Sequence, residues 1–142
     1  MRLRELTSTD TPAVHELLRA CRLPTDGVPQ DAALLLVAEV GTSIVGVAGL
    51  ELHNGDGLLR SLAVAPGHRT RRIASRLVDE VEARAVALGA RRLFLLTETA
   101  EKFFSRRGFS LLDRSLAPPA IAAARELTGV CPASAILMVR ER

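Results

Sequence analysis

Apolar and polar positions follow two rhythms along this chain, and the switches between them mark its elements. Arg2–Leu6 alternates as a short strand with Leu3 facing inward. Val14, Leu17, Leu18 and Cys21 recur at helical spacing behind the cap-forming run Thr7-Ser8-Thr9-Asp10, with Pro12 in the first turn. That predicts a helix ending near Arg22, and Leu23–Pro29 reads as a loop. Leu34–Val40 and Ser43–His53 are apolar runs joined by Gly41-Thr42, the signature of a hairpin, and Asn54–Gly57 is a second tight turn. A strand over Leu58–Val64 follows. The period then changes. Ile73, Leu77, Val81, Ala85 and Leu88 form one stripe of a helix from about Arg71 to Leu88, with Asp79, Glu80, Glu82 and Arg84 solvated and Gly89 closing it. Arg91–Thr97 is again a strand, which implies a parallel crossover beside Leu58–Val64. Thr99–Arg107 predicts a short helix, Ser110–Arg114 a strand, Ala120–Leu127 a helix opened by Pro118-Pro119, and Ala135–Arg140 a last strand.

Candidate chemistry gathers where strand gives way to helix. Ala65-Pro66-Gly67 leads into a basic turn, and a helix start carries backbone N–H groups with no partner inside the helix. Those donors and the positive end of the helix dipole suit a phosphate, and Arg69, Arg71 and Arg72 add side chains that grip phosphate oxygens at two points. The same residues would also make an ordinary solvated basic turn.

Composition narrows the partners. The chain has 142 residues, 48% of them apolar, and a net charge of +3; the mean hydropathy is +0.20 and the pI about 9.6. This describes a single folded domain over residues 1–142 with a modest cationic excess suited to an anionic ligand. Aromatics make up 3% with no Trp or Tyr, which argues against stacking on nucleic acid. Cys21 and Cys131 are far apart and out of zinc spacing with His15, His53 or His68, so the expectation is free thiols, a reducing compartment and no metal. Met1–Glu5 lacks the apolar stretch of a signal peptide and Ala32–Ala38 is too short to span a bilayer, so a cytoplasmic protein with no membrane partner is expected.

Two spaced motifs carry a family resemblance. Val64-x-Pro66-x-x-Arg69-x-x-Arg72-x-Ala74 resembles the pyrophosphate signature of the GNAT superfamily of N-acetyltransferases, usually Arg/Gln-x-x-Gly-x-Gly/Ala, with Arg72 where the family has Gly. Ala100-x-x-Phe103-Phe104-x-x-x-Gly108-Phe109 resembles the second signature, with Phe104 where Tyr is usual. Further along, Leu95–Phe104, Arg114, Ala117-Pro118, Ile121 and Cys131-Pro132-Ala133-Ser134-Ala135 with Met138 resemble arsenic-resistance N-acetyltransferases of the ArsN type, second subgroup, and short N-acetylglutamate synthases. Leu23-Pro24-Thr25-Asp26 and Leu58–Val64 favour the former.

The resemblance implies an α/β (α+β) fold: a mixed, mostly antiparallel sheet of about six to seven strands, helices on both faces and a central parallel pair that splays. It implies acetyl transfer from acetyl-CoA to a small amine by direct attack in a ternary complex, and it leaves room for a homodimer. The pantetheine arm would lie along Leu62, Ala63 and Val64, and the pyrophosphate on Arg69, Thr70, Arg71, Arg72, Ile73, Ala74 and Ser75, with Phe104 alongside. Glu51 and Glu98 are the candidate bases, each also readable as a rim carboxylate or ion-pair partner, while His53 abuts a turn and is expected to be exposed. Arg60 stands mid-strand with Leu58 and Leu62 on its own face by the period of two, either for a substrate carboxylate or in a salt bridge to Glu51 or Glu98. Thr97, Thr99 and Cys131 complete the candidate acceptor side. N-acetylglutamate synthesis and a non-catalytic acyl-CoA sensor are the alternatives.

Overall fold

The helix-period and strand-period segments sort into a seven-stranded sheet of order β1-β2-β3-β4-β5-β7-β6. A computed structural model describes residues 1–69, 72–130 and 134–141. The strands are β1 (Arg2–Glu5), β2 (Leu34–Val40), β3 (Ser43–His53), β4 (Asp56–Val64), β5 (Arg92–Thr97), β6 (Ser110–Leu112) and β7 (Ile136–Glu141). The helices are α1 (Thr11–Ala20), α2 (Ile73–Ala87), α3 (Glu101–Arg106) and α4 (Pro119–Ala122). All neighbouring strands pair antiparallel except β4 and β5, which are parallel, as their crossover through α2 requires. Among the described residues no helix is long and apolar enough to cross a membrane.

Each face of the sheet is covered by residues of the opposite alternation. Leu36, Ala38, Leu50, Leu59 and Met138 face α2, whose Ile73, Leu77, Val78 and Val81 complete the largest buried cluster. Gly46 permits this close approach, because a Cβ there would lie 3.0 Å from both Ile73 Cγ2 and Leu77 Cδ1. On the other face α1 packs Val14, Leu17 and Leu18 on Leu35, Val37 and Val47. Beside it Ile121 and Ala124 cover Leu58, Phe94 and Leu137. The entry to α1 is fixed by Asp10, whose carboxylate accepts from Arg4 at 2.7 and 3.0 Å and from the Thr7 backbone N–H at 2.8 Å. These partners, Arg4 first, hold the Asp10 carboxyl well below the usual carboxylate range.

Three expectations need correcting. Glu82 is buried rather than solvated, because Arg140 reaches across from β7 and donates to both its oxygens at 3.2 and 3.3 Å. Leu88 leaves the apolar stripe and is exposed: α2 ends at Ala87, the chain reverses at Gly89 (φ +91°), and Ala90 packs in its place. The segment expected as one helix over Ala120–Leu127 is a single turn, α4, followed by a separate wide turn over Glu126–Val130.

Candidate active site

The parallel pair is the weak point of the sheet, and it opens. β4 and β5 pair only from Asp56↔Arg92 to Leu59↔Leu95. At the closed end Arg92 donates to both oxygens of Asp56 at 2.7 and 2.9 Å. Beyond Leu59 the strands part. β4 remains paired with β3 to Val64, so one backbone edge of Arg60–Val64 has no strand on it. The space is a groove of about 920 Å³, floored by Leu58, Leu59 and Leu95, with the α1–β2 loop, the start of α2 and the end of β5 as walls.

One end lies at α2. Arg72 caps this helix in a left-handed conformation (φ +57°), and the first α2 backbone N–H accounted for within the helix is that of Arg76, donating to the Arg72 carbonyl. The N–H groups before it have no partner within the helix, as at any helix start. Arg72, Ala74 and Ser75 line the groove here, whereas the Ile73 side chain is in the core. Arg69 also lines it, folded back so that its Nε donates to the Val64 carbonyl at 3.1 Å and its Nη2 to Cys21 Sγ at 3.6 Å. Thr70 and Arg71 lie outside the described residues.

The middle is shaped by a bulge. Gly49 faces Arg60 and Val47 faces Ala63, so β4 carries one residue more than β3, and Ser61 takes it up at φ +58°. The period-two argument therefore fails across Ser61. Leu62 is not on the face of Arg60 but packs with Leu59 and Val64 on the α2 side. Among the described residues, three of the four non-glycine positions with left-handed backbone, Arg22, Ser61 and Arg72, line the groove. Arg22 follows α1 as its αL cap, with its N–H on the Arg19 carbonyl and the Leu23 N–H on Leu18.

The far end holds a buried ionic cluster in the seam between the two apolar groups of that face. The Arg60 side chain is 1% exposed. Its Nη1 donates to Glu51 Oε2 at 2.6 Å and lies 3.5 Å from Asp31 Oδ2. Its Nη2 donates to the Asp26 carbonyl at 2.8 Å, and its Nε to Ser61 Oγ at 3.2 Å, with Glu126 Oε1 at 3.6 Å. Gly49 makes this possible, since a Cβ there would stand 3.3 Å from Arg60 Cγ. His53 is half-buried rather than exposed, with Nε2 2.8 Å from Glu51 Oε1. Arg125 bridges Asp31 at 2.8 Å and is the first cause of that carboxyl being held low.

Of the residues singled out by sequence, the groove gathers Arg60, Leu62, Ala63, Val64, Arg69, Arg72, Ala74, Ser75, Thr97, Glu98, Thr99 and Phe104. Glu51 is not on its wall; it is sealed between Arg60 and His53. Cys131 lies outside the described residues. Phe104 is buried with its ring edge-on to Phe103 and Phe109. Sequence reasoning passed over Cys21, Arg22, Ser61 and Glu126, all on the wall. The Cys21 thiol lies 3.6 Å from the Val64 carbonyl. Among the described residues no group of three or more His, Cys, Asp or Glu side chains is arranged for a metal ion.

Comparison with known proteins gives this geometry a family. Residues 2–109 match the model of the acetyltransferase (GNAT) family. An amino-acid acetyltransferase of Ralstonia nicotianae is 35% identical over 116 residues, which are 75% of this chain, and the chain spans only 26% of that curated relative's length. In structure, a GNAT-family acetyltransferase from Staphylococcus aureus superposes with a TM-score of 0.84 at 18% identity, covering 99% of this chain and 98% of its own. The N-acetylglutamate synthase of Neisseria gonorrhoeae, solved with coenzyme A and N-acetyl-glutamate, gives a TM-score of 0.83 at 21% identity over 99% of this chain and 34% of its own. At such identities the structural likeness shows the fold.

Proposed function

Because the chain belongs to the GNAT family of acetyltransferases, we propose that it moves the acetyl group of acetyl-CoA to the amine of a small, amino-acid-like acceptor by direct attack in a ternary complex. The observation that carries this is the parting of β4 from β5 over the open start of α2. The residues fit the coenzyme. Arg60–Val64 offer a free backbone edge to an extended arm, and the N–H groups opening α2, with Arg69 and Arg72, offer donors and charge to phosphates. Bound acetyl-CoA would supply an activated thioester.

This chain's residues then hold the two reactants together and orient them, which is the larger part of such catalysis. Backbone N–H groups of the β4 edge are the donors available to a developing oxyanion. Glu98, on the wall at the end of β5, is the accessible carboxylate for taking the amine proton, directly or through water. Glu51, committed to Arg60 and His53, acts as structural support. No phenol protonates the leaving thiolate, since the chain has no Tyr and Phe104 fills that position; a thiolate is a weak enough base to leave without one.

The finer reading is detoxification of an amino-acid-like compound, as in arsenic resistance, supported by the Leu23–Asp26 and Leu58–Val64 stretches. N-acetylglutamate synthesis is the second reading, favoured by the name of the Ralstonia relative. A cytoplasmic setting and a homodimer belong to the same proposal. The test is acetyl-CoA with a panel of amines and amino acids, products read by mass spectrometry. An N-acetylated product formed at a saturable rate is expected. Tight acetyl-CoA binding with no product across the panel would replace the enzyme with an acyl-CoA sensor.

A further inference from the structure

The α1–β2 loop crosses the seam that holds Arg60, and three side chains hold it down. On the α1 side Val28 is buried, and its carbonyl lies 2.6 Å from His15 Nε2. Over the seam the Asp26 carbonyl accepts from Arg60 Nη2 at 2.8 Å. On the α4 side Asp31 Oδ2 accepts from Arg125 Nε at 2.8 Å and stands 3.5 Å from Arg60 Nη1. Arg125 belongs to the segment after α4, 94 residues further along the chain. That segment lines the groove through Glu126, and the loop lines it through Leu23 and Pro24. Gly27 leaves room for the bridge: a Cβ there would fall 2.2 Å from Asp31 Oδ2 and 3.0 Å from Arg125 Nε. The bridge is partly wet, with the Arg125 side chain 51% exposed and that of Asp31 26%. Such a pair holds weakly, whereas Arg60 beneath it is sealed at 1%.

We infer that the α1–β2 loop is a strap across this face with Asp31–Arg125 as its clasp, and that the strap and the turn after α4 open together as one unit, changing the width of the groove. The inference rests on the acyl-transfer reading only for what the strap guards, the acceptor's way in. A weak clasp over a sealed cluster lets this part of the molecule open below the cost of unfolding the sheet. It also couples its two sides reciprocally, so loosening either one loosens the other.

The test is native-state hydrogen exchange of the full chain, read amide by amide with NMR, with and without coenzyme A. The strap is reported by the Asp31 and Ala32 N–H groups, bonded to the Gly27 and Pro29 carbonyls, and the turn by those of Leu127 and Thr128, bonded to Ala124. Arg125→Gln should speed exchange at Asp31 and Ala32 about threefold, and Gly27→Ala should speed it at Leu127 and Thr128 by at least as much, with the α2 amides unchanged in both. Arg125→Lys, which keeps a cation for Asp31, should restore the wild-type rates. Faster exchange confined to the side that carries the substitution would overturn the inference. So would α2 amides that speed up in step with the reporters, or no restoration by Arg125→Lys. If Gly27→Ala failed to fold, Arg125→Gln, a change at an exposed side chain, would still decide. Coenzyme A that left exchange along the groove unchanged would strike the acyl-transfer reading instead, while the ligand-free rates still decide this one.

Discussion

Replacing Arg60 by Met tests whether the ionic cluster is held from within the protein. The guanidinium stands 2.6 Å from Glu51, 3.5 Å from Asp31 and 3.6 Å from Glu126. Methionine fits the volume but removes the charge. Asp31 keeps Arg125 and Glu51 keeps His53, yet the carboxylates lose their common counter-ion in a buried seam. Breaking a buried ion pair from one side costs about 3–5 kcal/mol, since the charge left behind remains desolvated. For a chain of this length that lowers the melting temperature by about 10–15 °C. Urea unfolding followed by circular dichroism should show the loss as a shifted midpoint at constant slope. Adding Glu51→Leu to Arg60→Met should recover at least about 1 kcal/mol, because an apolar pair tolerates burial where a lone carboxylate does not. A loss below about 1 kcal/mol in the single variant, or no recovery in the double, would refute the reasoning and leave Arg60 available to a ligand.

Two further outcomes follow from local geometry. Asp10→Asn removes charge-assisted bonds from Arg4 and the Thr7 N–H and should cost about 2 kcal/mol at neutral pH. Because the native carboxyl titrates below its unfolded value, the wild type's advantage is complete above about pH 4 and should vanish as the pH falls through the native value; an advantage that persisted undiminished in strong acid would contradict this. Arg72→Gly relieves a left-handed backbone at the α2 cap and should raise the melting temperature by about 2–4 °C in a thermal melt, a fall being the contrary result.

What sequence reveals here divides by range. The β2–β3 hairpin was legible to the residue, because alternation and a Gly-Thr turn are local signals. The parallel crossover followed from connectivity. The charges of the basic turn were legible, but the left-handed backbone of Arg72 was not, since a large side chain does not announce that conformation. The Ser61 bulge was hidden for a related reason: the extra residue leaves Leu58–Val64 reading as an unbroken strand while moving Leu62 to the opposite face. Glu82 was read as solvated and Glu126 was passed over because their partners, Arg140 and Arg60, lie 58 residues away in one case and on the far side of α2 and β5 in the other. Buried ion pairs of that span leave no periodic trace.

The early end of the β4–β5 ladder also bears on solubility. An unpaired strand edge on the outside of a protein is a template for any passing chain. Here the strand edge of Arg60–Val64 left without a partner strand runs through the interior of the sheet between walls contributed by α2, β5 and the α1–β2 loop. Another folded sheet cannot dock there side by side. The slot therefore discriminates by width: it has room for a single extended chain, and a second strand with its own neighbours is shut out. The protein keeps an open row of backbone donors and acceptors for a thin guest without offering it to its own copies as a seed for aggregation.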